Sequence, residues 1–303
     1  MATELELRKR IRSVKNISKV TNALSAVSAS KARRAEKQVR ATRDYAGKAF
    51  EILNNLASQE GGATHPLLAT RDEVRHTAVI LITGDRGLAG AYNTNIVRLT
   101  ERFIRDLSDA LSGPVSVIAI GRKGRDLMIR RGYKLAASFT GMPVQPTSLD
   151  ILPIARIVVD GFRNEEFDQV FVAYTDFVNL AKSIPKIRQL LPLKPLDHQN
   201  MSFSKHISHA NVALAHQASY TYEPKPGQLL DTIVPRFTEL QIYQALLEAI
   251  ASEESARFMA MQNATDNATA LAEALTLQRN KVRQTAITNE ILDIVGGAEA
   301  LAV

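Results

Sequence analysis

The sequence contains no cysteine and no tryptophan. The first absence excludes disulfides, cysteine-based zinc sites and thiol nucleophiles; the second decides nothing. Long apolar runs are also missing. A membrane-spanning helix needs about 18 consecutive apolar residues, and the best candidate, Ala78 to Ile82, is only strand-sized. The first ten residues, Met-Ala-Thr-Glu-Leu-Glu-Leu-Arg-Lys-Arg, have no apolar core behind their charges, so no secretory signal and no direct membrane insertion are expected. Residues 3–58 contain no proline and a single glycine, Gly47.

Catalytic patterns are equally scarce. There is no Ser-His-Asp order, no nucleophile elbow and no pair of carboxylates that the sequence places in one pocket. His206 and His209, with His216 further on, lack the carboxylate or cysteine help that metal sites usually have. No catalytic residue, cofactor or metal is expected.

What is present is charge asymmetry and long helices. Residues 1–50 hold 13 Lys/Arg against 4 Asp/Glu, although the whole chain of 303 residues carries only +7. A basic segment of this kind suits an acidic partner: nucleic acid, lipid headgroups or an acidic protein surface. A solvated basic helix face is the plainer reading.

Across residues 3–58, Ile17, Val20, Leu24 and Val27 form one apolar stripe. The register slips at Lys31, Arg33 and Arg34, then resumes as Ala35, Val39, Thr42, Ala46, Ala49, Leu53 and Leu56. One seam position every 3.5 residues is the signature of a coiled coil. The C-terminal part mirrors it. After Pro235, the last proline, the seam reads Leu240, Tyr243, Leu247, Ile250, Glu254, Arg257, Met261, Ala264, Ala268, Leu271, Leu275, Gln278 and Val282. A helix this long spans roughly 100 Å, more than a compact globule of this size houses. The two segments are expected to pair antiparallel, with Leu53 and Leu247 as one facing pair. The far end, with Ile291, Leu292, Ile294, Val295, Ala298, Leu301 and Val303, is apolar where a free helix tip is normally polar, which points to a partner's sleeve.

Between the helices lies an α/β pattern. Strands are expected at Thr77–Ile82, Val115–Ile120, Tyr133–Phe139, Gln169–Tyr174 and Ile184–Leu193, with helices near 91–112, 122–131 and 149–163. Alternation of this kind argues for a mostly parallel, Rossmann-like sheet. The expected organisation is an N-terminal coiled-coil helix over 1–60, a central α/β domain over 75–195, an irregular connecting segment or foot over 196–234, and a C-terminal coiled-coil helix over 235–303. The loop Gly84-Asp85-Arg86-Gly87-Leu88-Ala89-Gly90 follows a strand, as phosphate-binding loops do. Its spacing fits neither the Walker A nor the dinucleotide fingerprint, so it reads as a structural turn. The basic loop Gly121-Arg122-Lys123-Gly124-Arg125 reads as a helix start.

These residues resemble a known family at both ends and in the middle. Arg10-Ile11-Arg12-Ser13-Val14-Lys15-Asn16-Ile17, then Lys19-Val20-Thr21 and Ala29-Ser30-Lys31, look like the first helix of gamma subunits of F-type ATP synthases. Gly84–Gly90 with Asn93 is similar to the family's central loop. Tyr222-Glu223-Pro224, Met259-Ala260-Met261 and Asn263-Ala264-Thr265-Asp266-Asn267-Ala268 resemble later blocks. Ile287-Thr288-Asn289-Glu290, then Asp293 and Gly297-Ala298, match the C-terminal signature. Residues 195–219 carry none of the family's blocks, and the cysteine pair of the light-regulated chloroplast form is absent, which favours a bacterial source.

The resemblance implies a rotor shaft. In the family the end helices turn inside a ring of alternating alpha and beta subunits, while the central domain sits on the c-ring beside the epsilon subunit. Ion-driven rotation then cycles the ring's catalytic sites through ATP synthesis, and hydrolysis reverses it. By motif, Arg283, Gln284 and Thr288 align with residues touching the catalytic beta subunit, and Leu24 lies near the beta lever. Tyr220, Tyr222 and Glu223 fall in the foot that meets the c-ring and epsilon subunit. Arg8, Lys9, Arg12, Lys15 and Lys19 form a basic face toward the ring. The implied location is peripheral, on the cytoplasmic face of a bacterial plasma membrane. Two rival readings are a basic coiled-coil nucleic-acid-binding protein and a small-molecule enzyme on the α/β domain. Only Tyr45 and Phe50 lie among the basic residues, which gives the first little stacking surface.

Overall fold

The computed structural model describes residues 3–57, 65–71, 73–110, 113–193 and 226–301. Helix α1 (Glu4–Ala57) is followed by β1 (Thr77–Ile82), α2 (Tyr92–Ala110), β2 (Val115–Ile120), α3 (Arg122–Arg130) and β3 (Leu135–Phe139). Then come α4 (Ser148–Arg163), β4 (Gln169–Asn179), β5 (Lys182–Leu191) and α5 (Pro226–Leu301). The chain divides into two units, residues 29–256, and residues 1–28 with 257–303.

In the unit of residues 29–256, the sheet order is β3-β2-β1-β4-β5. The first four strands in that order are parallel, and β5 closes the edge antiparallel to β4. All six residues of β1, Thr-Ala-Val-Ile-Leu-Ile, are buried, as a central strand covered on both faces must be. The period of two sorts them into separate cores. Ala78, Ile80 and Ile82 face a cluster with Ile118, Ile120, Val170 and Val172. Helix α4 and the segments of α1 and α5 in this unit close over that cluster through Val158, Leu53, Phe237 and Leu246. Val79 and Leu81 face the opposite side, with Val117, Ala173, Met128 of α3 and Ile96 of α2.

The mostly parallel sheet flanked by long terminal helices is the architecture the sequence predicts. Strand β5 is displaced by two residues at each end, spanning Lys182–Leu191 rather than Ile184–Leu193, and three further boundaries differ, each for a local reason. Strand β3 starts at Leu135 rather than Tyr133, because Gly132 (φ 85°) ends α3 and the Tyr133 N–H closes back on the Met128 carbonyl at 3.1 Å. Strand β4 runs on to Asn179, where the Asn179 side-chain oxygen accepts the N–H groups of Ala181 and Lys182 and turns the chain into β5. Helix α5 begins at Pro226 and continues through Pro235. An interior proline removes one backbone hydrogen bond; burial of Leu230, Val234 and Phe237 around it offsets that loss.

Candidate functional site: the paired helices and their exposed faces

In the unit of residues 1–28 and 257–303, α1 and α5 run antiparallel. The Ser18 hydroxyl lies 3.3 Å from that of Thr269, the Thr21 hydroxyl 2.7 Å from that of Thr265, and the Ser25 hydroxyl donates to the Gln262 side-chain oxygen at 3.4 Å. The α1 seam here consists of Leu7, Ile11, Val14, Ser18, Thr21, Ser25 and Ser28, all buried or half-buried. This corrects the expected seam. Ile17, Val20, Leu24 and Val27 sit one position out of it and are exposed by 52%, 59%, 37% and 52%. There is no slip of register at the basic cluster. Steps of three and four run unbroken from Leu7 through Ala32, Ala35, Val39, Ala46 and Leu53. The seam is hidden from a hydropathy reading because small hydroxyl residues, which let helix backbones approach, occupy it.

On α5 the expected seam holds at Met261 and Ala268, which are buried. It then drifts by one residue: Ala272 is buried while Leu271 is 50% exposed, as a 3.6-residue helix drifts against a 3.5-residue pattern. Within the unit of residues 29–256, Val39 and Leu247 share one cluster, and the Phe50 and Phe237 rings stack at 6.1 Å. Leu53 packs in the larger core with Phe237, so Leu53 and Leu247 are not a facing pair.

Counting back fourteen residues from Ser18 to Glu4, where α1 starts, and on by the same number from Thr269, reaches Arg283. Beyond that point α1 offers no facing residue. Every residue from Arg283 to Val295 is exposed, including Ile287, Ile291, Leu292, Ile294 and Val295. Arg283, Gln284 and Thr288 stand in this stretch, the last two one helical turn apart. Arg8, Lys9, Arg12, Lys15 and Lys19 are all exposed, and Arg8 lies 3.7 Å from Glu4. Tyr220, Tyr222 and Glu223, like His206, His209 and His216, lie outside the described residues.

In the unit of residues 29–256, the Gly84–Gly90 loop leaves β1 at the edge where parallel sheets hold nucleotides. Here α5 covers that edge. The Tyr92 hydroxyl donates to the Ala249 carbonyl at 3.0 Å, and Ser252 donates to the Thr175 carbonyl at 3.0 Å. A Cβ on Gly84 would fall 2.5 Å from the Glu253 carboxyl, so a larger residue there would have to displace the end of that side chain. Asp85 accepts the N–H groups of Arg122 and Gly141, both at 2.8 Å, tying the basic loop and the turn after β3 to the end of β1. The loop therefore packs as a structural turn. One of its residues escapes a sequence reading: Leu88 has φ 64°, a costly backbone state for a non-glycine residue, and is 64% exposed.

A second missed feature is a buried polar cluster in the same unit. Arg43 of α1 donates from Nε to Glu248 Oε1 at 3.2 Å and from Nη2 to the Phe177 carbonyl at 2.9 Å. Its Nη2 also lies 3.5 Å from Asp176 Oδ1. Lys186 of β5 pairs with Asp176 of β4, and Gln244 donates to Glu248 Oε1 at 3.0 Å. Burial, then the neighbouring Asp176 carboxyl, pushes Glu248 up to about 7. Burial also works against ionised Asp176, but Glu248, Lys186 and Arg43 together hold it below the usual carboxylate range. No sequence signal joins these residues, because they are 205 positions apart at the extreme.

The family profile described as ATP synthase matches residues 3–301. The ATP synthase gamma chain of Herpetosiphon aurantiacus is 45% identical, covering 99% of each chain. That of Dehalococcoides mccartyi strain CBDB1 is 43% identical, covering 100% of each. Among solved structures, the fold is similar to a chain of the Euglena gracilis mitochondrial ATP synthase OSCP/F1/c-ring in rotational state 3. That likeness has TM-score 0.66 and 19% identity over 98% of this chain and 94% of that one. A chain of the Tetrahymena thermophila central stalk/c-ring structure gives TM-score 0.59 and 23% identity, covering 81% of this chain and 99% of that one. Nothing in these likenesses supports the nucleic-acid-binding reading. Matched from end to end by the profile and by full-length relatives above 40% identity, the chain belongs to the ATP synthase gamma chain family.

Proposed function

We propose that this chain is the central rotor shaft of an F-type ATP synthase, coupling ion-driven turning of a c-ring to the conformational cycle of an alpha/beta catalytic ring. The observation that carries the reading is the helix pair. Its seam is closed by hydroxyl and small residues, while Ile17, Val20, Leu24, Val27 and the stretch from Ile287 to Val295 face outward. Burying one large apolar side chain contributes roughly 1.5–3 kcal/mol, so these faces suit a surrounding sleeve of other subunits.

In this reading the pair and its tip sit within the ring. Leu24 and the cluster Arg283, Gln284 and Thr288 meet the beta subunit, and Arg8, Lys9, Arg12, Lys15 and Lys19 face acidic ring surfaces. The segment 196–234, with Tyr220, Tyr222 and Glu223, serves the c-ring and epsilon subunit, and the α/β domain over 75–195 links foot to shaft. The chain supplies no catalytic residue of its own to ATP chemistry. The complex stands at the cytoplasmic face of a bacterial plasma membrane; among the described residues no helix is long and apolar enough to cross one.

The test is a reconstituted complex of verified stoichiometry in which Arg283, Gln284 and Thr288 are all replaced by alanine. Alanine favours helix, so α5 survives, while ATP hydrolysis and ion-driven synthesis both fall. Wild-type rates in both directions overturn the assignment of this cluster.

A further inference from the structure

Two oxygens of the buried cluster between α1, β4, β5 and α5 receive no donor among the described residues, Gln244 Oε1 and Glu248 Oε2, and only the second belongs to an ionisable group. Glu248 is fully buried. Its Oε1 accepts from both Arg43 and Gln244. Its Oε2 receives no N–H or hydroxyl hydrogen among the described residues. The Asp176 carboxyl stands beside it: a single guanidinium nitrogen, Arg43 Nη2, lies 3.2 Å from Glu248 Oε1 and 3.5 Å from Asp176 Oδ1. Two ionised carboxylates would place acceptor against acceptor in a site shut off from water, which costs free energy twice, by repulsion and by an unmade hydrogen bond. One proton removes both costs, turning the contact into a single O–H···O⁻ hydrogen bond of the strong, charge-assisted kind.

We propose that Glu248 and Asp176 share one proton, and that this proton latches α5 to β4 at the place where Arg43 also ties in α1. The proton resides on Glu248 Oε2 and points at Asp176. The two cations decide this. Lys186 and Arg43 both reach Asp176, whereas Glu248 is met by Arg43 and by neutral Gln244. With the proton in place the four ionisable groups carry Arg43⁺, Lys186⁺ and Asp176⁻ around a neutral Glu248. Loss of the proton leaves Glu248 facing Asp176 as a second anion, and the α5–β4 contact loosens while the fold's apolar cores stay intact.

The sign of the pH dependence follows. Burial and Asp176 raise Glu248 from 4.5 to about 7 in the folded chain. Its stabilising contribution is fully present below about 4.5, the value in the opened chain, and is lost as the pH rises through about 7. The latch depends on this cluster alone and not on the rotor reading, so the two stand or fall separately.

The experiment is amide hydrogen exchange on the full chain, comparing wild type with Glu248→Gln between pH 5 and pH 8, corrected for the intrinsic pH dependence of exchange. Glutamine keeps the shape and donates N–H to Asp176 but does not titrate. In wild type the opening equilibrium of residues 244–252 and 172–177 is expected to rise more than about tenfold over this range. In Glu248→Gln it rises by less than a third of that. Parallel profiles overturn the latch. Independently of that variant's folding, the infrared spectrum of wild-type chain carrying ¹³C-labelled glutamate is expected to show a protonated-carboxyl band at pH 6 that fades by pH 8. Carboxylate bands alone at pH 6 overturn the proposal.

Discussion

The hydroxyls of Thr21 and Thr265 lie 2.7 Å apart, the shortest of three side-chain hydrogen bonds that cross from α1 to α5 in the unit of residues 1–28 and 257–303. Together the three define which faces of the two helices meet. Because the chain contains no cysteine, the register can be read by placing two. We predict that Thr21→Cys with Thr265→Cys oxidises to an intramolecular disulfide in high yield. Leu53→Cys with Leu247→Cys, out of register, does not. Equal yields from both pairs contradict the seam described above.

Exposure of Ile17, Val20, Leu24 and Val27 makes a second prediction. Replacing all four by serine or glutamine leaves the denaturation midpoint of the isolated chain close to wild type, since surface changes usually stay within about 0.5 kcal/mol each. If these residues formed the seam, the same change would cost about 2 kcal/mol or more per site. Assembly with ring subunits, read by native gel or mass, weakens in the substituted chain.

Arg43 holds three partners at once: the Glu248 carboxyl, the Asp176 carboxyl and the Phe177 carbonyl. Arg43→Met fills the space but strands buried acids. We predict a loss of about 3–5 kcal/mol, the usual result of removing one side of a buried charge network, measured by urea unfolding of the full chain at pH 7. A loss below about 1 kcal/mol contradicts the assigned role.

Asp168 accepts the N–H groups of Arg75 and His76 at 2.7 Å each and pairs with Arg71 at 2.5 Å. Burial disfavours its ionised form, but the His76 N–H, the Arg71 guanidinium and the Arg75 N–H together outweigh burial and hold it below the ordinary value. Its contribution is therefore present above pH about 3.8 and lost as the pH falls through the folded-state value. Asp168→Asn is expected to cost roughly 1.5–3 kcal/mol at pH 7, and its stability falls less steeply than wild type from pH 5 to pH 2. Parallel acid profiles contradict this.

Where burial follows strong periodicity, the sequence is legible. Strands β1 and β2 read to the residue, because each is a six-residue run of apolar and β-branched side chains, interrupted only by Ser116, and too short for a buried helix. The paired helices were legible as elements, but their contact face was not. Ser18, Thr21, Ser25 and Ser28 look like a solvated stripe, and Ile17, Val20, Leu24 and Val27 look like a core. The hydropathy of the two faces is exchanged, as the proposed role of a shaft among other subunits requires. The start of α5 is not legible in the sequence, because a proline normally ends a helix and only the packing around Pro235 accounts for its continuation. The buried Arg43–Glu248–Asp176 cluster had no signal at all, since its members come from three elements far apart in sequence.

The central claim, that this chain is the turning part of the complex, is tested most directly by watching it turn. A single cysteine at Lys134, an exposed position ahead of β3, carries a fluorescent or gold probe, and the ring subunits of the reconstituted complex are fixed to a surface. The account predicts continuous rotation in one direction when ATP is added, ceasing when ATP is exhausted. A probe that stays still while the same molecules hydrolyse ATP at full rate contradicts it.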